Sequence, residues 1–243
     1  MPVNFSEFAG ILFFLENINN DIEERRGLQV LFDNNLEKKK KRMIENDLKG
    51  RNIKDDRILE AFLEVPREKF VPEKFYEDSY ADRPLPIGEG QTISQPYIVA
   101  EMIRVANPSA DDKALEVGSG SGYAAAVLSR IVKKVYGIER FESLVKKSKK
   151  RLQELDYDNV VIKKGDGSKG WKEKSPFDII IVSAAANKVP NKLLEQLAEN
   201  GKMIIPVGNQ FRQELVCYTK ENGEINKKVI TYVRFVPLIS EEE

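Results

Sequence analysis

The sequence predicts an α/β fold built on a mostly parallel sheet. Three observations predict it. From Lys113 onward, short apolar runs alternate with helical segments. A glycine-rich turn joins the first of these runs to the helix that follows it. The chain then finishes in two apolar runs joined through Asn222-Gly223. Parallel strands need crossover connections and are covered on both faces, so they read as continuous apolar runs rather than alternating ones.

Near the N-terminus, Phe8, Ile11, Leu12, Leu15, Ile18 and Ile22 fall on one helical face. The longest apolar run, Phe8 to Leu15, is too short to span a bilayer. The segment before it carries Glu7 and neither Lys nor Arg, so an amphipathic helix is favoured over a signal-peptide core. Lys38, Lys39, Lys40, Lys41 and Arg42 read as a solvated helical face, with a nucleic-acid or anionic-surface contact as the alternative. Met43, Ile44 and Leu48 continue a helix that stops at Gly50. A short helix follows with Ile58, Leu59, Phe62 and Leu63 as its buried stripe, closed by Pro66 and Pro72. The expected division is a helical extension over 1–42 and a larger domain over 43–243.

In that larger domain the expected strands are Ala114 to Val117, Val135 to Ile138, Val160 to Ile162, Ile179 to Val182 and Met203 to Pro206. Helices are expected over Ala124 to Val132, Leu144 to Leu155 and Leu193 to Leu197. Leu215 to Tyr218 and Val229 to Val236 should form an antiparallel pair on the sheet edge, because Asn-Gly suits a tight hairpin turn.

Composition limits the chemistry. The chain of 243 residues is 41% apolar and 32% charged, which suits a folded domain. Lys plus Arg and Asp plus Glu are both 39, so no global field points to nucleic acid. There is no histidine and one cysteine, Cys217. Ser-His-Asp and Cys-His catalysis, HExxH zinc sites and a disulfide within the chain are excluded, and no metal site is expected. One cysteine suits a reducing, cytoplasmic compartment.

The first strand leads into Glu116-Val117-Gly118-Ser119-Gly120-Ser121-Gly122-Tyr123. A dinucleotide fingerprint needs Gly or Ala where Tyr123 stands, and a P-loop needs Gly-Lys-Ser/Thr. Such a turn lets a ligand approach the backbone and is expected to present free N–H groups at the helix start. Glu139 ends the second strand, where a carboxylate can accept ribose hydroxyls. Asp166 follows the third, where an acceptor can receive an adenine amino group. Taken singly, each acid reads as a surface carboxylate; their joint register points to a nucleoside. A second constellation, Arg83 to Tyr97, is rich in Pro and Gly, yet carries Leu85, Ile87 and Ile93, and so reads as a packed irregular loop. Ser94 within it precedes a helix starting near Pro96, and its purely structural reading is an N-cap or ST-turn.

R-P-L-P-I-G-E-G-Q-T-I-S-Q-P-Y, E-V-G-S-G-S-G-Y, G-D-G-S-K-G-W, F-D-I-I-I-V-S-A-A-A-N-K-V-P, I-P-V-G and V-R-F-V-P-L occur in that order of elements over about residues 53–239. Together they resemble the protein-L-isoaspartate O-methyltransferase family; Q-T-I-S-Q-P is its specific part, and the glycine loop alone speaks only for class I methyltransferases. The resemblance implies a Rossmann-like class I methyltransferase sheet, mostly parallel with an antiparallel C-terminal edge, plus N-terminal helices. It implies S-adenosyl-L-methionine as cofactor. Glu116 and Gly118, Ser119, Gly120, Ser121 and Gly122 would line its methionine part, Glu139 and Arg140 the ribose and adenine edge, and Asp166 with Gly167 the adenine. Gln91, Thr92, Ile93 and Ser94 would close over the donor and receive the substrate, with Ser94 as the active-site serine. Where many members carry His or Tyr this chain has Glu89, and where some carry His it has Tyr97. The first 40 or so residues have no counterpart in the short bacterial pattern.

The substrate so implied is an isoaspartyl residue in a damaged protein or peptide. Its α-carboxylate, with a reference pKa near ~3.5, is already ionised and needs no base. Ser94 would then position that carboxylate rather than attack. Two other readings stay open: a class I methyltransferase with a nucleic-acid or small-molecule acceptor, and a non-catalytic module that binds damaged proteins. No specific nucleic acid and no membrane are expected as partners. The N-terminal stripe leaves the chain a monomer, or a dimer through its first helix.

Overall fold

The structure is a computed structural model that describes residues 33–240. The Phe8 to Ile22 stripe therefore lies outside the described residues. The chain divides into two compact units, 1–42 and 43–243. In the first, α1 (33–42) is helical and carries the basic run. Lys38, Lys41 and Arg42 are exposed, but Lys40 is buried, with its Nζ 3.0 Å from Glu37.

The second unit opens with a π-helical turn, Met43–Leu48, and a 3₁₀ turn, Lys49–Arg51, ended by Asn52 in the left-handed region. The helix thus ends just past Gly50, where Asn52 tolerates the αL conformation that stops it. In α2 (Asp56–Glu64), Asp55 caps the N-terminus by accepting from the Arg57 N–H. Its buried face is Ile58, Leu59, Ala61 and Phe62; Leu63, one turn beyond Leu59, lies at the edge of that face and is exposed.

The segment Arg83 to Tyr97 holds a small antiparallel hairpin, β1 (Leu85–Gly88) and β2 (Gln91–Ile93), which is a sheet of its own. Leu85, Ile87 and Ile93 are buried, so the loop is packed as expected. Its tip, Gly88-Glu89-Gly90, has three consecutive positive φ angles. Next comes α3 (Pro96–Ala106), with Pro96 at its first position.

The main sheet has seven strands. They are β3 (Lys113–Val117), β4 (Lys134–Glu139), β5 (Val160–Lys164), β6 (Phe177–Val182), β7 (Leu197–Gly208), β8 (Gln213–Glu221) and β9 (Glu224–Val233), in the order β5-β4-β3-β6-β7-β8-β9. The first five run parallel; β8 pairs antiparallel with β7, and β9 antiparallel with β8. The helices between them are α4 (Tyr123–Ser129), α5 (Glu142–Glu154) and α6 (Asn191–Glu195). Asn222 and Gly223 both have positive φ, as a type I′ hairpin turn demands. The core gathers Leu115, Val117, Ile138, Phe177, Ile180, Val182, Met203 and Ile205, all fully or nearly buried.

Several boundaries differ from expectation: α4 ends at Ser129 rather than Val132, and α6 ends at Glu195, so that Leu197 opens β7 instead of closing the helix. β9 ends at Val233, not Val236. From there the chain leaves the sheet edge: Ala185 N–H donates to the Val236 carbonyl at 2.8 Å and Leu238 N–H to the Ala185 carbonyl at 2.7 Å. Residues 236–238 thereby run beside the segment that follows β6.

Candidate active site

Strand order reverses beside β3, with β4 and β5 on one side and β6 and β7 on the other. Ligands of open α/β sheets bind at the carboxyl ends of strands flanking such a point. Around it lies a narrow donor-side cavity of about 50 Å³. Its walls include Gly118 and Gly120 from the glycine loop, Glu139 and Arg140 after β4, Gly167, and Gln91 with Thr92 from the hairpin. A small adjoining cavity reaches Ile93, Ser94, Glu116, Ser119 and Ser121. The structure therefore gathers most of the predicted residues at one place, from four separate stretches of chain.

Two predicted residues line none of these walls. Gly122, with φ of 88°, is the N-cap of α4, where a side chain would be strained and would press on Leu152 at 3.3 Å. Asp166 caps the short 3₁₀ turn Gly167–Lys169, its Oδ1 accepting from the Ser168 N–H at 3.0 Å and the Ser168 hydroxyl at 2.7 Å. Asp166 thus shapes the wall through Gly167.

Ahead of the helix start, the N–H groups of the glycine loop itself are engaged. Gly118 and Ser119 N–H both donate to the Ile138 carbonyl, at 2.8 and 3.1 Å. Gly120 N–H donates to Glu139 Oε2 at 2.8 Å, and Gly122 N–H to the Ser119 carbonyl at 2.7 Å. The loop is bound down to β4 and offers close approach rather than a cradle for anions. That suits a nucleoside bearing no phosphate. Glu139 is nearly buried, its other oxygen accepting from the Phe141 N–H at 2.9 Å. Each carboxylate oxygen has a second lone pair, so both retain capacity for a ribose hydroxyl.

Ser94 is not the N-cap of α3. Gln95 holds that position without a side-chain cap bond. The helix start is instead satisfied from a distance: Asp82 Oδ1 accepts from the Tyr97 N–H at 3.0 Å, and its Oδ2 accepts from Gln95 Nε2 at 2.6 Å and Arg51 Nη1 at 3.0 Å. The Ser94 hydroxyl is thereby released from backbone duty. Ser94 also lines a larger cleft of about 680 Å³ with Arg51, Tyr97, Tyr232 and Arg234. This cleft and the donor-side cavity share Thr92, Ser183 and Val236.

Buried polar atoms mark the same spot. Glu116 Oε2, Ser119 Oγ, Tyr123 OH and Arg67 Nη1 have no hydrogen-bond partner of good geometry. Three of these four residues line the cavity shared with Ser94. Unmet buried polar groups cost about 1 to 3 kcal/mol each, so a concentration of them asks for a polar ligand or water. Burial pushes the Glu116 carboxyl up to about 8; the Glu139 charge adds to this, against the nearby hydroxyls of Ser119 and Ser183. A protonatable acid, hydroxyls and a ribose-competent carboxylate fit the ammonium, carboxylate and ribose of S-adenosylmethionine.

Sequence reasoning missed Phe141, Ser183, Ala184 and the stretch Val236 to Ile239, which complete the donor-side wall. The V-R-F-V-P-L motif was visible, but only the 185–238 pairing shows that it reaches the site. Arg51, stacked 3.3 Å over the Tyr97 ring, was missed as well.

The switch-point site, the glycine loop after the central strand and the acid ending the next strand define a Rossmann-like class I methyltransferase. The chain belongs to the protein-L-isoaspartate(D-aspartate) O-methyltransferase family, whose model matches residues 38–243. It is 51% identical over 211 residues to a protein-L-isoaspartate O-methyltransferase of Pelotomaculum thermopropionicum, covering 86% of this chain and 92% of that one. Among solved structures, one protein-L-isoaspartate O-methyltransferase is 29% identical with a TM-score of 0.74; the match covers 82% of this chain and 65% of that chain. A second, described as a beta-aspartate methyltransferase from Plasmodium falciparum in complex with S-adenosyl-L-homocysteine, is 34% identical with a TM-score of 0.72, covering 81% and 96%.

Proposed function

We propose that this protein repairs damaged proteins by passing a methyl group from S-adenosylmethionine to the free carboxylate of L-isoaspartyl residues. The observation that carries the reading is the adjacency of two spaces: a donor-side cavity built on the glycine loop and Glu139 shares the wall of Thr92, Ser183 and Val236 with a cleft lined by Ser94. Bound S-adenosylmethionine supplies an electrophilic methyl group on a sulfonium. Glu139 would hold the ribose, Arg140 and Gly167 the adenine edge, and Glu116 with Ser119 the methionine part. Ser94 would donate a hydrogen bond to the incoming carboxylate and hold it in line. No group need take a proton, which suits a chain without histidine. Alignment of this kind can contribute ~7 to 11 kcal/mol, and exclusion of water by the hairpin adds to it.

The test is transfer of labelled methyl to an isoaspartyl peptide, with the normal aspartyl peptide as control. Base-labile label on the first alone is expected. Label on RNA, on both peptides or on neither refutes the reading.

Residues 1–42 are assigned as a helical extension and 43–243 as the methyltransferase domain. The single cysteine supports a cytoplasmic location, and among the described residues no helix is long and apolar enough to cross a membrane. The Phe8 to Ile22 stripe supports self-association; light scattering of the full chain and of residues 43–243 tests it, and equal monomer masses discard the dimer.

A further inference from the structure

Arg67 is fully buried, in the 3₁₀ turn Arg67–Phe70. Its Nε donates to the Ser79 carbonyl at 2.7 Å, and its Nη2 to the carbonyls of Ser94 at 2.9 Å and Arg83 at 3.4 Å. Its guanidinium carbon lies 4.8 Å from the centre of the Tyr123 ring. Burying a cation costs several kcal/mol unless it is well paired. The Arg67 guanidinium donates to three neutral carbonyls and lies beside the Tyr123 phenol, with no carboxylate among these partners, and burial pulls its pKa below the usual arginine value. A charge kept under these terms calls for a reason beyond packing.

The placement of its partners supplies one. Ser79 and Arg83 stand before the β1–β2 hairpin, and Ser94 directly follows it. One guanidinium therefore clamps both ends of the element that carries Gln91 to Ser94. Tyr123 is the first residue after the glycine loop, so the same side chain also ties the hairpin to the donor side. A planar fork with fixed donor directions can serve these carbonyls together; a lysine ammonium is a point charge and holds no such angle.

We infer that Arg67 is a positioning residue that sets where the Ser94 hydroxyl meets the incoming carboxylate. This rests on the role given to Ser94 under the proposed function. It acts through the Ser94 backbone and touches neither substrate nor donor.

The test uses the full chain, with Arg67→Lys, Arg67→Met, Ser94→Ala and the two double variants. Met fills a similar volume without a charge to bury, which gives a second route to a folded protein. Circular dichroism checks the fold, isoaspartyl-peptide kinetics give kcat/KM, and calorimetry gives S-adenosylhomocysteine affinity. Loss of a charge-assisted hydrogen bond sets the expected drop in kcat/KM at about 10- to 100-fold for each Arg67 variant. Affinity for S-adenosylhomocysteine should stay within about threefold. In the Ser94→Ala background the same Arg67 change should cost less than about threefold, since no hydroxyl remains to be placed. Three outcomes overturn the inference: wild-type kcat/KM in a folded Arg67 variant, fully additive losses, or a loss of cofactor affinity as large as the loss in rate. Wild-type activity in Ser94→Ala is a separate failure; it removes the role of Ser94 and this inference with it.

Discussion

Glu116→Gln should make the protein less sensitive to alkaline pH. Glu116 is 2% exposed, and the Ser183 hydroxyl donates to its Oε1 over a long 3.3 Å. Burial raises its carboxyl from the ordinary 4.5 of an exposed chain to about 8 in the fold. Between those values the folded chain keeps a proton that the unfolded chain has released. The sign follows: stability falls as pH rises. The favourable contribution is whole below 4.5 and is gone once pH has passed about 8. At 1.36 kcal/mol per tenfold in proton affinity, the full cost is on the order of 5 kcal/mol, and about 4 of it accrues between pH 5 and 9. Gln keeps the shape and carries no proton equilibrium. Urea unfolding followed by circular dichroism across pH 5 to 9, wild type beside Glu116→Gln, isolates this group because all others cancel in the difference. The variant should gain on wild type by several kcal/mol over that range. Parallel curves would refute the reasoning and place Glu116 among ordinary carboxylates.

Three further outcomes are expected. Ser94→Ala should lower kcat/KM for an isoaspartyl peptide by about 10- to 150-fold, the worth of one hydrogen bond to a charged group; a wild-type rate would leave the serine without a role. Glu139→Ala should weaken S-adenosylmethionine binding by at least about tenfold with the fold intact, read by calorimetry and circular dichroism. Gly137→Ala would put a methyl 2.4 Å from Ser119 Oγ and 3.0 Å from Ile162 Cγ1, so it should lower stability by about 1 to 3 kcal/mol and cofactor affinity with it; an unchanged melting curve would show that both neighbours yield freely.

The parallel core was legible because strands covered on both faces leave unbroken apolar runs such as Ile179 to Val182, and nothing distant is needed to read them. The donor side was legible for a related reason: strand ends, acids and the glycine turn sit in fixed register on the chain. What stayed hidden depends on contacts between distant residues. Ser94 looks like a helix cap in sequence, and only the fold shows Asp82 taking that duty from twelve residues upstream. The glycine loop looks rich in free donors until β4 lies beside it and accepts them. Nothing local marks Arg67, between Pro66 and Glu68; its partners, the carbonyls of Ser79 and Ser94, come from chain on either side of the hairpin. Val236 to Ile239 reach the site because the chain departs from β9 and pairs beside Ala185.

Glu139 joins two tasks that are usually mutated separately. One carboxylate fastens the Gly120 and Phe141 N–H groups and stands where the ribose would lie. On the role proposed for it, any substitution there would loosen the loop as it deletes the contact, so an affinity loss measured at this position would overstate what the sugar contributes. The same union narrows the paths open to the lineage. On that role, a variant that recognised a differently substituted ribose would first need another anchor for Gly120, and a chain that shortened the loop would give up the same carboxylate's place at the sugar.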